Sequence, residues 1–356
     1  MAEVNPFDER LAALAAKAAK KRLDAILLFG EANVRAVTDV TCDNGCLVVR
    51  PGEAPVFLTD FRYVPMAHRV APWLKTVQLR RGQTFAQAAK RLLPRGVRRL
   101  GYEGSVPASR YLSLEKAFRR AALVDVAEDV LALRAVKTLP EIAKITEAVA
   151  LNDEIWLLAR KEIHPGMTEK DIQRVIRGFM TALGDGEAFE TIVCAGANAA
   201  ECHHVPDDTV WRRGEPLLVD MGVKFQGVCS DMTRNVKAAR DPEYAKVYGI
   251  VLAANEAAIA AAKPGITAGA LDKVARDVIR KAGYGKAFGH SLGHGVGYEI
   301  HEEPCAKQKS KTVLEPGMFV TIEPGIYLEG RLGVRIEDLV LITTSGCEVL
   351  SHAPKH

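Results

Sequence analysis

Four acids in the second half of the chain stand where acids are costly. Asp220 ends the apolar string Leu217-Leu218-Val219-Asp220, and Glu323 ends Phe319-Val320-Thr321-Ile322-Glu323. Asp231 follows Asp220 across a turn containing Gly227, and Glu337 follows Glu323 across one containing Gly330. A carboxylate carried to the end of a buried strand needs a compensating positive charge. Four of them in one cleft would repel one another and take up protons unless cations are bound. His294, in Gly289-His290-Ser291-Leu292-Gly293-His294-Gly295-Val296-Gly297, adds an imidazole on a glycine-rich segment where backbone can approach closely. One ring nitrogen with several carboxylate oxygens suits Mn, Co, Fe or Zn better than Ca or a thiolate-type site. Taken singly, an acid after a strand is an ordinary turn or cap residue, and a lone histidine such as His290, His68 or His164 is structural or solvent-facing. The five residues gain their meaning jointly.

Stepping outward from those acids, an internal repeat positions them. Pro165-Gly166-Met167-Thr168 leads into a helical pattern through Ile172 and Val175, and Pro264-Gly265-Ile266-Thr267 leads into another through Leu271 and Val274. Each threonine is placed to cap its helix. Phe189 and Phe288 keep the same spacing. Gly214, Asp220, Gly222 and Gly227 then correspond to Gly317, Glu323, Gly325 and Gly330. Two copies of a helix-then-hairpin unit facing each other would enclose a cleft, each delivering one acid per hairpin strand.

The first half holds no comparable constellation. Residues 8 to 22 read as an amphipathic helix and Asp24 to Phe29 as a buried strand. Strands at Cys46 to Arg50 and Pro55 to Thr59 are joined by a Pro51-Gly52 turn, and helices follow at 84 to 93 and 109 to 121. Together these describe a small α/β domain. A long helical pattern opens at Leu139-Pro140-Glu141, so the boundary lies between 130 and 138. With 356 residues and 48% hydrophobic content the chain can bury two cores. Its apolar stretches, Ala25 to Phe29 among the longest, fall short of the roughly 18 residues that span a bilayer, and no secretory signal pattern opens it. Seven cysteines spread through the sequence, none in a CxxC pair, suit a reducing compartment. The expectation is a soluble, cytoplasmic protein with no membrane partner. Positive charge is concentrated early: residues 1 to 130 carry 21 Lys/Arg against 14 Asp/Glu, and Arg62 to Arg99 holds ten basic residues and no acid. Apolar residues recur through that run at helical spacing (Phe85, Ala88, Ala89, Leu92, Leu93) without aromatic interleaving, so it reads as a solvated face and no nucleic-acid partner is expected.

The strings Val219-Asp220-Met221-Gly222, Ser230-Asp231-Met232-Thr233-Arg234, Gly293-His294-Gly295-Val296-Gly297, Ile322-Glu323-Pro324-Gly325-Ile326-Tyr327 and Val334-Arg335-Ile336-Glu337-Asp338 resemble the signature of the pita-bread metallopeptidases, the family of methionine aminopeptidase, aminopeptidase P and prolidase. Residues 1 to 130, with Asn33 and Thr59-Asp60-Phe61-Arg62-Tyr63, resemble the creatinase-type N-terminal domain, which points to the proline-specific branch. The resemblance implies an α+β fold: a creatinase-like domain over 1–130, then a pita-bread catalytic domain with pseudo-twofold repeat over 131–356. It assigns Asp231 and Glu337 as ligands bridging two divalent metals, Asp220 as a ligand to one, and His294 and Glu323 as ligands to the other. It adds His203 and His301 beside the scissile amide and its carbonyl oxygen, and Arg335 as an organiser of ligands or substrate. The chain departs from the pattern at Glu201-Cys202-His203-His204, where a Leu-Pro-His-Gly type string is more frequent, and at Asn235, where Thr is common; spacing favours His203 over His204 as the substrate-facing residue.

What the resemblance implies is hydrolysis of the bond preceding proline and a homodimer; Glu323, a ligand next to the bridging solvent, is the candidate to carry the proton. A chain of this length with a compact Glu323 to Glu337 spacing is most like Xaa-Pro dipeptidase. Aminopeptidase P, acting on longer Xaa-Pro peptides, is the alternative. The ligands do not separate the two, whereas loops such as Thr38 to Gly45 from a partner subunit could. Creatinase shares the fold without these ligands. A binding protein that has lost catalysis is a further reading, opposed by the intact set of five.

Overall fold

Short apolar runs cut by turn residues suit strands alternating with helices, and that is how the first part of the chain folds. The computed structural model describes residues 6–238 and 241–355, and the chain divides into two units, Met1–Arg134 and Ala135–His356. In the first, strands β1 (Ala25–Leu28), β2 (Gly45–Val49), β3 (Val56–Thr59), β4 (Lys75–Gln78), β5 (Arg99–Tyr102) and β6 (Ala122–Asp125) form one mixed sheet in the order β4-β3-β2-β1-β5-β6. Helices α1 (Pro6–Lys20), α2 (Glu31–Thr38), α3 (Val64–Val70), α4 (Phe85–Leu92), α5 (Ala108–Ala117) and α6 (Ala127–Ala135) accompany it. Strand β1 is buried throughout because alternate side chains feed two cores. Ile26 and Leu28 join Leu14, Ala18, Val34 and Val37 of α1 and α2, while Ala25 and Leu27 join Ala86, Ala89 and Leu114 of α4 and α5. The basic run is divided among α3, β4, α4, β5 and their turns. On α4 the alanines face inward while Lys90 and Arg91 are exposed.

The second unit carries the duplication into three dimensions. Helices α7 (Leu139–Glu162) and α8 (Glu169–Leu183) precede the first hairpin set, and α9 (Pro242–Ala261) and α10 (Ala268–Lys281) the second. Thr168 and Thr267 cap α8 and α10 by accepting from the backbone N–H three residues on, at 3.1 and 3.2 Å. Both glycines of the Pro-Gly turns, Gly166 and Gly265, have positive φ, the conformation only glycine adopts without strain. The strands are β7 (Gly186–Glu187), β8 (Ile192–Ala195), β9 (Leu217–Met221), β10 (Val223–Phe225), β11 (Val228–Cys229), β12 (Met232–Val236), β13 (Gly293–Gly295), β14 (Glu302–Ala306), β15 (Phe319–Ile322), β16 (Gly325–Leu328), β17 (Leu332–Arg335), β18 (Asp338–Ile342) and β19 (Cys347–Val349). Each half has its own core. Ile172, Ile176 and Met180 of α8 pack on Val193, Leu217 and Val219, and Leu271, Ala275 and Ile279 of α10 lie with Val320, Ile322 and Val340. Buried Asn152 on α7 and Asn255 on α9 each donate an amide N–H to a carbonyl adjoining one of the strand-end acids, at Met221 (3.1 Å) and Ile322 (2.9 Å). Helix pair, hairpin and acid are thus pinned together twice. No described helix is long and apolar enough to cross a membrane.

Candidate metal centre

Asp220 lies within β9 and Glu323 directly follows β15, while Asp231 immediately precedes β12 and Glu337 sits between β17 and β18. The register sets Asp220 opposite Thr233 and Ile322 opposite Asp338. Asp231 stands two residues before the partner of Asp220, and Glu323 and Glu337 adjoin the paired Ile322 and Asp338, so the acids converge at neighbouring strand ends. His294 comes from β13, which runs so close to β15 that a Cβ on Gly293 would fall 1.8 Å from the Thr321 carbonyl oxygen. Only glycine permits that approach. The backbone N–H of His294 donates to the Thr321 hydroxyl at 3.0 Å.

The His294 ring is held in one tautomer. Nδ1 lies 3.0 Å from the Gly295 carbonyl oxygen, which can only accept, so Nδ1 carries the proton and Nε2 presents a lone pair. That Nε2 stands 3.5 Å from Asp231 Oδ2 and 3.5 Å from Glu323 Oε1. Atoms bound about 2.1 Å from a common tetrahedral ion stand about 3.4 Å apart, which is the spacing seen. Donor atoms of Asp231, His294 and Glu337 all lie within 4.8 Å of one another. Asp220 gives one oxygen to Arg335 Nη2 at 2.7 Å, and its other oxygen, Oδ1, is buried with no hydrogen-bond partner. A buried carboxylate oxygen without a donor is costly, and a cation at the cleft removes that cost. The donor set therefore fits divalent metal.

The electrostatics agree. Burial and then Glu337 push Asp231 and Glu323 well above the ordinary carboxylate range, and Glu337 is pushed up to about 8 by burial and then Asp220. These are carboxylates crowded out of water with the Arg335 guanidinium facing them, and they hold protons unless further positive charge is supplied. His294 is lowered to about 4, chiefly by burial, so it is a neutral ligand-competent imidazole. Thr233 is fully buried, donates to Glu337 Oε2 at 2.7 Å and accepts from Arg335 Nε at 2.9 Å. Fully buried Arg234 binds the carbonyl oxygens of Thr233 (3.0 Å) and Glu337 and the Asp338 carboxylate (2.9 Å), and so fastens the two acid-bearing strands to each other. Asn235 donates to the Arg335 carbonyl at 2.6 Å.

Histidines rim these acids. His301 packs edge-on against His294 with ring centroids 4.4 Å apart. Burial and then the charge of His203 lower its pKa. His203 is exposed and acts on both His301 and His290. His204, its neighbour, turns the other way and is buried 2.7 Å from Glu169. His290, set aside in the sequence as structural, lies beside the acids: Nδ1 is 3.9 Å from Glu323 Oε2, and Nε2 is 2.9 Å from the Tyr327 hydroxyl, which accepts from Arg335 Nη1 at 3.0 Å. His164 and His68 are solvent-facing. Thr233, Arg234, His290 and Tyr327 carry no signal of their own in the sequence, though each lies inside or beside a string that holds a metal-type donor.

This arrangement defines a metal-dependent hydrolase centre between two duplicated halves, and the sequence places it: the chain belongs to metallopeptidase family M24, matched over residues 143–344, and carries a creatinase/prolidase N-terminal domain over residues 10–136. Among its relatives, the Xaa-Pro dipeptidase of Pyrococcus horikoshii is 34% identical over 335 residues, covering 93% of each chain. The solved Xaa-Pro dipeptidase from Bacillus anthracis superposes with a TM-score of 0.93 at 34% identity, covering 98% of this chain and 99% of the other. An X-Pro aminopeptidase from Thermotoga maritima superposes with a TM-score of 0.86 at 32% identity, over 96% and 99% of the two chains.

Proposed function

We propose that this chain hydrolyses the peptide bond preceding proline, with an Xaa-Pro dipeptide as first substrate, using two divalent ions held by Asp220, Asp231, His294, Glu323 and Glu337. The observation that carries the proposal is the shared 3.5 Å spacing of His294 Nε2 from Asp231 and Glu323, beside an Asp220 oxygen that has no donor. The ions, when bound, acidify a water and polarise the scissile carbonyl. Arg335 holds Asp220 in place through one arm and Tyr327 through the other. His301, kept neutral by burial, and His203 on the same rim donate to the substrate carbonyl oxygen as it gains charge. Glu323, a carboxylate in the cleft beside His294, accepts a proton from the activated water and passes it to the departing proline nitrogen.

Manganese is the first metal to test, with cobalt, zinc and iron as competitors. The chain acts as a homodimer, and its seven free cysteines support a cytoplasmic setting. The likeness to an X-Pro aminopeptidase supports the second reading, removal of the first residue from longer Xaa-Pro peptides. A matrix of the four metals against Xaa-Pro and Xaa-Pro-Yaa peptides separates the two. Metal-reconstituted protein that cleaves neither would end the peptidase reading.

A further inference from the structure

A second cluster of ionisable groups lies in the same unit, around the loop that carries His203. Glu169, at the start of α8 and fully buried, accepts four hydrogen bonds: from Ala195 N (2.7 Å) and Asn198 Nδ2 (2.9 Å) on Oε1, and from His204 Nε2 (2.7 Å) and Asp207 N (3.0 Å) on Oε2. Four donors exhaust the acceptor sites of a carboxylate. The second ring nitrogen of His204, Nδ1, faces Glu201 Oε2 at 3.3 Å. Asn198 Nδ2 also lies 3.3 Å from Nε2, but the Glu169 oxygen at 2.7 Å is the closer partner; each ring nitrogen thus faces a carboxylate to which it donates, and the ring is an imidazolium. The loop is pinned elsewhere too: Arg335 Nη1 donates to the Cys202 carbonyl at 3.3 Å, and a Cβ on Gly333 would fall 1.6 Å from the Ala199 carbonyl oxygen, so the turn over Gly196–Ala200 lies directly on β17.

We propose that His204, as an imidazolium clamped between Glu169 and Glu201, is a positioning residue that fixes the 195–207 loop and thereby holds its neighbour His203 on the metal cleft. The inference rests on the peptidase reading only for what His203 does, and not for the clamp itself. The groups with charge that face the ring are Glu169 from α8 and Glu201 and Asp207 from the loop. Burial alone would lower its pKa, but these carboxylates outweigh burial and raise it. Glu169, with four donors already in place, offers nothing further to a metal ion, although Glu169, His204 and Asp207 are close enough to suggest one. The clamp is therefore complete below the His204 pKa and weakens as pH rises through it.

The test combines His204→Gln, which keeps one donor and loses the charge, with His203→Ala and the double variant. Expected is a fall of about tenfold in kcat/KM for His204→Gln, of the size that slight misplacement of a reacting group produces. Metal content should be unchanged, and the high-pH decline of the wild-type profile that follows His204 should disappear. In the His203→Ala background the second substitution should cost nothing more, because it acts only through His203. Hydrogen exchange at the Ala195 and Asp207 amides, read without any substrate, should quicken in His204→Gln and in Glu169→Gln, the fallback should either variant fold poorly. Unchanged exchange overturns the clamp whether or not the wild type cleaves Xaa-Pro peptides. Full additivity with His203→Ala, or loss of a metal equivalent in His204→Gln, also overturns it. Wild-type inactivity on every Xaa-Pro peptide, with exchange behaving as expected, sinks the peptidase reading and leaves the clamp standing.

Discussion

Thr233→Val probes the coupling between ligands and scaffold with the least change of shape. The hydroxyl donates to Glu337 Oε2 at 2.7 Å and accepts from Arg335 Nε at 2.9 Å, at a fully buried position. Valine fills the same volume and removes both bonds. A hydrogen bond to a charged group contributes about 1.5–3 kcal/mol. Arg335 keeps Asp220, Tyr327 and the Cys202 carbonyl, so the combined loss in metal-free protein should be roughly 2–3 kcal/mol rather than twice a single bond. For a unit of this size about 2–4 °C is lost per kcal/mol, giving a fall of roughly 4–12 °C in Tm. Metal should suffer as well. Glu337 without its donor holds its proton more tightly and is less well oriented, and loss of such a supporting contact weakens metal about 10–100-fold. Thermal unfolding in chelator gives the first quantity, and competition against an indicator chelator gives the second. Thr233→Ser restores the hydroxyl and should recover most of both. Metal affinity equal to wild type, with Tm within a degree, would refute the account of Thr233 as the link between Glu337 and Arg335.

Three other perturbations follow from the same geometry. Glu323→Gln should lower kcat by at least about 100-fold even when metal content matches wild type; full activity in metal-saturated protein would remove Glu323 as the proton carrier. Glu337 is pushed from 4.5 to about 8 in the folded, metal-free state by burial and Asp220, so the native state binds more protons than the unfolded one between those values. Metal-free protein should accordingly lose stability as pH rises across that window, while metal affinity climbs over it and levels off above; denaturant unfolding in chelator and metal titrations across the same window read both, and opposite slopes would count against the raised Glu337. Lys137→Met leaves the buried Glu302 carboxylate without the cation that lies 2.6 Å away, next to His301. Expected is a loss of about 3–5 kcal/mol by denaturant unfolding, and a loss under about 1 kcal/mol would show that this pair is not what compensates Glu302.

The strands and helices were readable wherever a period or a punctuation residue marked them. The helix expected after Thr168 through Ile172 and Val175 is α8, and the apolar run of β1 emerges within a residue of its expected limits. The Gly166 and Gly265 turns announce the duplication because positive φ admits few other residues. The acids were legible for the same reason that they are costly: a charge at the end of an apolar strand demands an explanation within the sequence itself.

What the sequence indicated by itself was a candidate donor set, the two-fold repetition and the family likeness. All three depend on local composition and spacing, which survive without knowing which atoms meet. Only the tertiary structure decided that Asp220 lies opposite Thr233 rather than Asp231, that His290 and Tyr327 join the site, and that His203 and His204, neighbours in sequence, face opposite ways. Those facts arise from strand register and from contacts between residues more than a hundred positions apart, such as Thr233 with Glu337 and Asp220 with Arg335. Hydrogen bonds at that range are set by how the two halves pack, and packing leaves no periodic trace along the chain.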